Sequence, residues 1–265
     1  MAIGLSTYCL YWHWHQTAET PLTWRQLLDR TQAWGCDLFQ FCDYPPLREM
    51  QPADLRAVAD YAAARGIRLE LGTRGLDEAH LRHYLSLAQA GGVSLIRGMV
   101  QPEERPQARQ LLERLLPAYE RAGVTLALET YEQIRVTELV QLVDDIDSEY
   151  LGICLDPANS VAALDLPADT IRVCSPYVVN LHVKDFAFRR QEGWVGFTYT
   201  GAPLGEGLLD YADLVSQVRP TERGINQIVE HWLPWQGTST TTCDIEDAWT
   251  QNSLDYLRTR EGTPT

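Results

Sequence analysis

Eight short apolar runs recur along the chain, each separated from the next by enough residues for a helix. They are IGLSTY from Ile3, LFQF from Leu38, RLELG from Arg68, SLIRG from Ser94, TLALE from Thr125, LGICLD from Leu151, VVNLHV from Val178 and NQIVE from Asn226. The intervening stretches are amphipathic: Thr23 to Trp34, Pro52 to Arg65, Leu76 to Ala90, Arg105 to Ala122, Val136 to Ile146, Pro167 to Cys174 and Tyr211 to Val218. A last one runs from about Ile245 to Arg260. Such alternation marks repeated βα units around a parallel sheet, and eight strands close that sheet into a barrel. Gly35, Gly66, Gly91 and Gly123 each stop a helical stretch a few residues before the next run. A (β/α)8 barrel takes roughly 250 residues, so the 265 residues are expected to form one α/β domain spanning 1–265. A doubly wound open sheet is the alternative, but no GxGxxG follows the first run.

Four of the runs end on a metal-binding residue type: TLALE on Glu129, GICLD on Asp156, VVNLH on His182 and QIVE on Glu230. Alternate residues of a strand share a face. Glu129 therefore shares the face of Thr125 and Ala127, Asp156 that of Cys154, His182 that of Asn180 and Lys184, and Glu230 that of Ile228. Barrel closure brings these faces together at the mouth formed by the strand C-termini. Carboxylate oxygens with one imidazole nitrogen suit a hard or borderline divalent cation, Mn²⁺ first, with Mg²⁺, Co²⁺ or Zn²⁺ as competitors. Taken singly, each residue has a plainer explanation. Asp156 precedes Pro157 and fits a helix N-cap, and a lone histidine is usually a polar core residue.

Glu129 and Glu230 are the expected proton-moving groups beside such a cation. Lys184 could orient substrate or donate a proton, or could pair with Asp185 or Glu206. Arg97, ending the fourth run, could hold a substrate carboxylate or phosphate, or pair with Glu70. Tyr8, Trp12, Trp14, Trp194 and Trp232 could stack on a sugar ring. His15 and His231 read as surface or loop packing. The long connection Phe186 to Asp210, with GFTYTGAPLGEGLLD, is the lid candidate.

A net charge of −14, from 36 acidic against 22 basic residues, argues against nucleic acid and anionic membranes as partners. A small molecule is the expected partner, and the resemblance given below implies a carbohydrate. MAIGLSTYCL lacks the basic stretch and apolar run expected of a secretory leader, and no apolar run approaches the ~18 residues of a membrane span. Six scattered cysteines without a CxxC pair read as reduced thiols, so a cytoplasmic protein is expected, with homo-oligomers left open.

The segments LALETYE, GICLDPANS, NLHVKDF, PLGEGLLDY and IVEHW resemble the sugar phosphate isomerase/epimerase family, the xylose-isomerase-like barrels that include ketose 3-epimerases, hydroxypyruvate isomerase and inosose dehydratases. FQFCDYPPL and LELGTRG fit one branch, and the resemblance spans essentially the whole chain. It implies a TIM barrel with a Mn²⁺-type ion on Glu129, Asp156, His182 and Glu230, the two glutamates also moving protons in the epimerases. The chain departs from those epimerases at Asn159, where they carry a substrate histidine, and at Phe188, where they carry an arginine. The endonuclease branch needs a histidine cluster that His13, His15, His80, His83 and His231 do not supply. A sugar isomerase or epimerase working through an enediolate is the leading expectation. A decarboxylase of 3-oxo sugar acids, of the 3-oxo-isoapionate type, comes second, since it needs a cation and one proton donor but no epimerase-type histidine; Asn159 is kept as a tentative substrate contact. A dehydratase and a silent sugar-binding barrel come last.

Overall fold

The structure, a computed structural model, describes residues 1–191, 193 and 195–261. All eight runs are strands of one closed barrel: β1 (Ile3–Ser6), β2 (Leu38–Cys42), β3 (Arg68–Gly72), β4 (Leu95–Gly98), β5 (Thr125–Glu129), β6 (Leu151–Leu155), β7 (Val178–Val183) and β10 (Asn226–Val229). Every neighbouring pair is parallel, in the order β1-β10-β7-β6-β5-β4-β3-β2, with β1 hydrogen-bonded to β2 to close the ring. Between β7 and β10 the chain adds an antiparallel hairpin, β8 (Asp185–Arg190) with β9 (Phe197–Ala202).

The helices lie outside and bury one leucine-rich face each, as Leu111, Leu112, Leu115 and Leu116 do in Ala108–Ala122. Truncating one of these leucines to alanine would cost about 2–5 kcal/mol. The main core cluster runs through these faces and the outward side chains of the strands. Inside the barrel two small apolar clusters, one of Ala2, Leu38 and Ile228 and one of Leu95, Ala127 and Cys154, accompany a polar layer. The Glu70 carboxylate accepts from Gln40 at 2.9 Å, Asn180 at 3.0 Å and Asn226 at 2.7 Å. This packing satisfies every carboxylate oxygen, which is what lets an acid stay at 3% exposure.

Several boundaries differ from the sequence expectation. The fourth helix starts at Glu78 because the Asp77 side chain caps it by accepting from the His80 N–H. The stretch expected from Arg105 opens as a tight turn of helix, Pro102–Gln107, and is α-helical only from Ala108, past the Pro106 ring that cannot donate. The last helix begins earlier, at Ser239, and packs against β10 and a short helix at Tyr11–Trp14. Tyr11–Trp14 and Pro157–Ala162 are too short to show a helical period.

β6 and β7 slip by one residue: Ile153 pairs with Val178 and Cys154 with Asn180. Val179 is the extra residue, and its methyls fill the space a Cβ on Gly152 would need. The bulge leaves Asn180 and His182 facing inward alongside Cys154. All six cysteines are free thiols, and among the described residues no helix is long and apolar enough to cross a membrane.

Candidate metal centre and substrate mouth

Each member of the carboxylate–histidine quartet reaches the mouth by a different local device. Glu129 is the last residue of β5, and His182 sits one residue before the end of β7. Glu230 follows β10 and ties its N–H to the Val183 carbonyl at 3.2 Å. Asp156 follows β6 and caps Pro157–Ala162, Oδ1 accepting from Ala158 at 3.0 Å and Asn159 at 3.3 Å. The cap and ligand readings of Asp156 are therefore compatible, since the cap uses one oxygen and turns Oδ2 inward. Together the four offer ligand atoms all within 4.8 Å of one another, every residue buried.

The surroundings of the quartet fit a divalent cation. Gln40 Oε1 lies 2.8 Å from His182 Nε2 and is an acceptor, so Nε2 carries a proton and Nδ1 is the nitrogen turned to the carboxylates, 3.1 Å from Glu129 and 3.5 Å from Glu230. Ser6 Oγ donates to Glu230 Oε1 at 3.0 Å, and Asn159 Nδ2 to Glu129 Oε1 at 3.0 Å. Asp156 Oδ2 has no well-aligned hydrogen bond; its close neighbour is the Lys184 ammonium at 2.7 Å, which also lies 3.2 Å from Glu230 Oε2. A buried side-chain cation thus stands against two of the acids.

The charges respond to this crowding. Burial would raise the Glu129 pKa, but Arg97 and His182 outweigh it and hold the carboxyl at about 2. For Asp156 burial wins over Lys184, and with the repulsion of Glu129 and Glu230 it pushes the acid up to about 6. Burial opposes a charge on His182, yet Cys154, Glu230 and Glu129 beside it raise its pKa well above the ordinary imidazole value.

Arg97 and Lys184 both lie at the mouth, with partners other than those expected. Arg97 reaches Glu129 at 3.1 Å, Asp43 at 3.0 Å and the Thr73 carbonyl at 2.9 Å, rather than Glu70. Because Gly72 pairs with Arg97, Glu70 sits two residues deeper, one layer down the barrel. Lys184 avoids both Asp185 and Glu206. Asp185, the next residue, points the other way and accepts from the N–H groups of Phe186, Gly205, Gly207 and Leu209.

The aromatic candidates divide. Trp232 lies under the Lys184 ammonium, 4.4 Å from ring centre to nitrogen, and edge-on to Tyr199. Trp12 donates to the Leu233 carbonyl and packs on Trp235, and Trp14 donates to the Thr7 carbonyl and packs on Tyr44. Tyr8 hydrogen-bonds Asp43, while Trp194 lies outside the described residues. His15 stacks on Tyr11; His231 is buried against Thr250 and Trp249, and that burial takes its pKa down to about 3. Asn159 is fully enclosed and spends its amide on Glu129 and the Thr130 carbonyl. Phe188 is exposed on the hairpin, against Tyr199.

Four residues escaped the sequence reading: Ser6, Gln40, Asp43 and Arg74. Ser6 and Gln40 orient Glu230 and His182. Asp43 adopts a left-handed backbone (φ 48°), uncommon for a side-chain-bearing residue, and binds Arg97, Arg74 and Tyr8. The visible hint was a charged residue just past each of two strands, in FQFCD and LELGTR.

Comparison with known proteins agrees with this geometry. Residues 22–260 match the family model described as xylose isomerase-like TIM barrel. The chain is 50% identical over 264 residues, 98% of its length and 96% of the relative's, to a 3-oxo-isoapionate decarboxylase of Pectobacterium atrosepticum. Among solved structures it resembles a D-psicose 3-epimerase crystallised in the presence of D-fructose, with TM-score 0.73 and 15% identity over 97% of this chain and 98% of that one. It also resembles a xylose isomerase-like TIM barrel protein from Mycobacterium smegmatis in complex with magnesium, with TM-score 0.70 and 14% identity over 97% of each. At those identities the likeness to the two structures is one of fold.

Proposed function

The chain belongs to the xylose isomerase-like TIM-barrel family, and on that footing we propose that it is a cation-dependent decarboxylase of a 3-oxo sugar acid. The observation that carries this reading is the 50% identity to a 3-oxo-isoapionate decarboxylase along nearly the whole of both chains. The epimerase neighbour, at 15%, supports only the architecture. The order suggested by the sequence is thereby reversed, with the lyase ahead of the isomerase or epimerase.

Glu129, Asp156, His182 and Glu230 would hold the divalent cation, Mn²⁺ by donor type with Mg²⁺, Co²⁺ or Zn²⁺ as competitors. When bound, it would supply electrostatic stabilisation for the negative charge that develops on the substrate's ketone oxygen. The remaining work falls to side chains. Breaking the bond between the carboxylate and its neighbouring carbon releases CO₂ and leaves the electron pair conjugated with the ketone, as an enolate. One proton delivered to that carbon completes the reaction. Lys184 is the donor we assign, because its ammonium projects among Asp156, Glu230 and the Trp232 face; the resulting amine regains a proton from water. Arg97 and Asn159 keep Glu129 in one orientation. The net charge of −14 favours a small carbohydrate over nucleic acid or an anionic membrane.

A second reading, isomerase or epimerase, draws on one observation: Glu129 and Glu230 flank His182 at 3.1 and 3.5 Å, as a proton-moving pair would. A metal-supplemented panel of aldoses, ketoses and 3-oxo sugar acids, followed by NMR in deuterated water, separates the two. Decarboxylation gives CO₂ and one deuterium in the product of an acid. Deuterium exchange into free ketoses with no CO₂ from any acid would overturn the proposal.

A further inference from the structure

Of the cations at the mouth, two are already engaged. Arg97 and Lys184 have side chains 2% and 4% exposed, each against at least one buried carboxylate. Arg74, two residues past β3, is different: its side chain is 39% exposed and yet held at two points. Nε donates to Asp43 Oδ2 at 2.9 Å and Nη2 to the Tyr8 hydroxyl at 2.7 Å. Nη1 makes no hydrogen bond to any described residue. Asp43 is itself fixed by its left-handed backbone, by its N–H to the Gly72 carbonyl and by Arg97, which runs on to Glu129. A chain of three contacts thus links the outer guanidinium to a quartet carboxylate. A free arginine gives up rotamer entropy when it is fixed; here that ordering is already in place before any ligand arrives. On a protein of charge −14, a pre-positioned rim guanidinium is what would admit an anion.

We propose that Arg74, braced by Asp43 and Tyr8, is the specificity residue that recognises the substrate's carboxylate, so that the mouth takes sugar acids in preference to neutral ketoses. This rests on the reading of the mouth as a sugar-acid site. A planar guanidinium with unused N–H groups matches a carboxylate in one plane. The grip is lost when the carboxylate departs as CO₂, so the neutral product is held no better than any polyol and leaves freely. Arg74 accordingly acts on substrate affinity more than on turnover.

The test is calorimetric titration of the metal-loaded protein with a four-carbon aldonate, which lacks the 3-oxo group and cannot react, and with the matching neutral polyol. The wild type is expected to prefer the aldonate. Arg74→Met, which keeps the apolar stem, is expected to lose about 10- to 100-fold in aldonate affinity, with polyol affinity, metal content and Tm unchanged; Arg74→Lys recovers part of the loss. Equal weakening toward both ligands, or none, overturns the assignment. The outcome is distinguishable from that of the decarboxylase reading. Selective loss of aldonate binding in a protein that releases no CO₂ leaves Arg74 standing and removes the lyase, whereas CO₂ release with an unchanged KM in Arg74→Met does the reverse.

Discussion

The two halves of the barrel mouth are built from opposite chemistry. The β5, β6, β7 and β10 ends present three carboxylates and an imidazole, acceptors arranged for a cation. The ends of β1 to β4 present Tyr8, Asp43, Arg74 and Arg97, a donor-rich network hydrogen-bonded within itself. The halves are not independent, because Ser6 on β1, Gln40 on β2 and Arg97 on β4 brace Glu230, His182 and Glu129. The contrast teaches that the candidate ligands and most of the groups that orient them lie on different strands, with Asn159, just past β6, the exception.

The strongest way to break the division is at the acceptor half. Glu129→Gln removes one ligand charge while preserving shape, and we expect turnover to fall by about 10³-fold or more together with metal occupancy. Turnover assays with elemental analysis check both; a variant that keeps activity and metal would sink the quartet. Ser6→Ala probes the bracing between halves. It should weaken metal binding by about 10-fold with no ligand altered, and an unchanged metal titration would make the halves separable after all. Asp43→Asn loosens both arginines, so we expect KM for the acid to rise roughly 10-fold while kcat changes little. A fall in kcat alone would place Asp43 with the chemistry instead of with recognition.

The smallest effect on chemistry is expected away from both halves, at Glu246 of the last helix, against the short helix Tyr11–Trp14. Burial pushes this acid up to about 8, against the hydrogen bonds it accepts from the Trp12 N–H. Between its ordinary value of 4.5 and about 8 the folded protein therefore holds a proton that the unfolded chain has lost, so stability falls as pH rises through that window. Melting curves between pH 5 and 8 should show a declining Tm in the wild type and a flatter profile in Glu246→Gln. Parallel slopes would refute the assignment.

The acceptor half was legible in the sequence and the donor half only in part, through Arg97 and Tyr8. Each quartet residue ends an apolar run, so strand period and closure sufficed to bring it to the mouth. Asp43 and Arg74 lie one and two residues past their strands, where no period operates and the backbone course depends on tertiary packing. The partners of Arg97 and Lys184 escaped for a related reason. Depth in a barrel follows from stagger between strands, which places Glu70 one layer too low for Arg97. Side-chain alternation turns Asp185 away from Lys184. The β8–β9 hairpin was read as a glycine-rich lid, although DFAFRR and FTYTGA do show the alternation of strands.

That hairpin is moored at several points. Tyr199 donates to the Ala158 carbonyl at 2.6 Å, the Gly201 N–H to the Trp232 carbonyl at 3.2 Å, and Asp185 gathers three amides of the returning chain. Even a methyl on Gly201 would come within 2.6 Å of the Trp232 carbonyl oxygen. A wall fastened in this way gives the mouth a fixed flank after β7, across the ring from the end of β3 that carries Arg74. Under the proposal above, a sugar acid settling against that wall would meet the guanidinium on the facing rim.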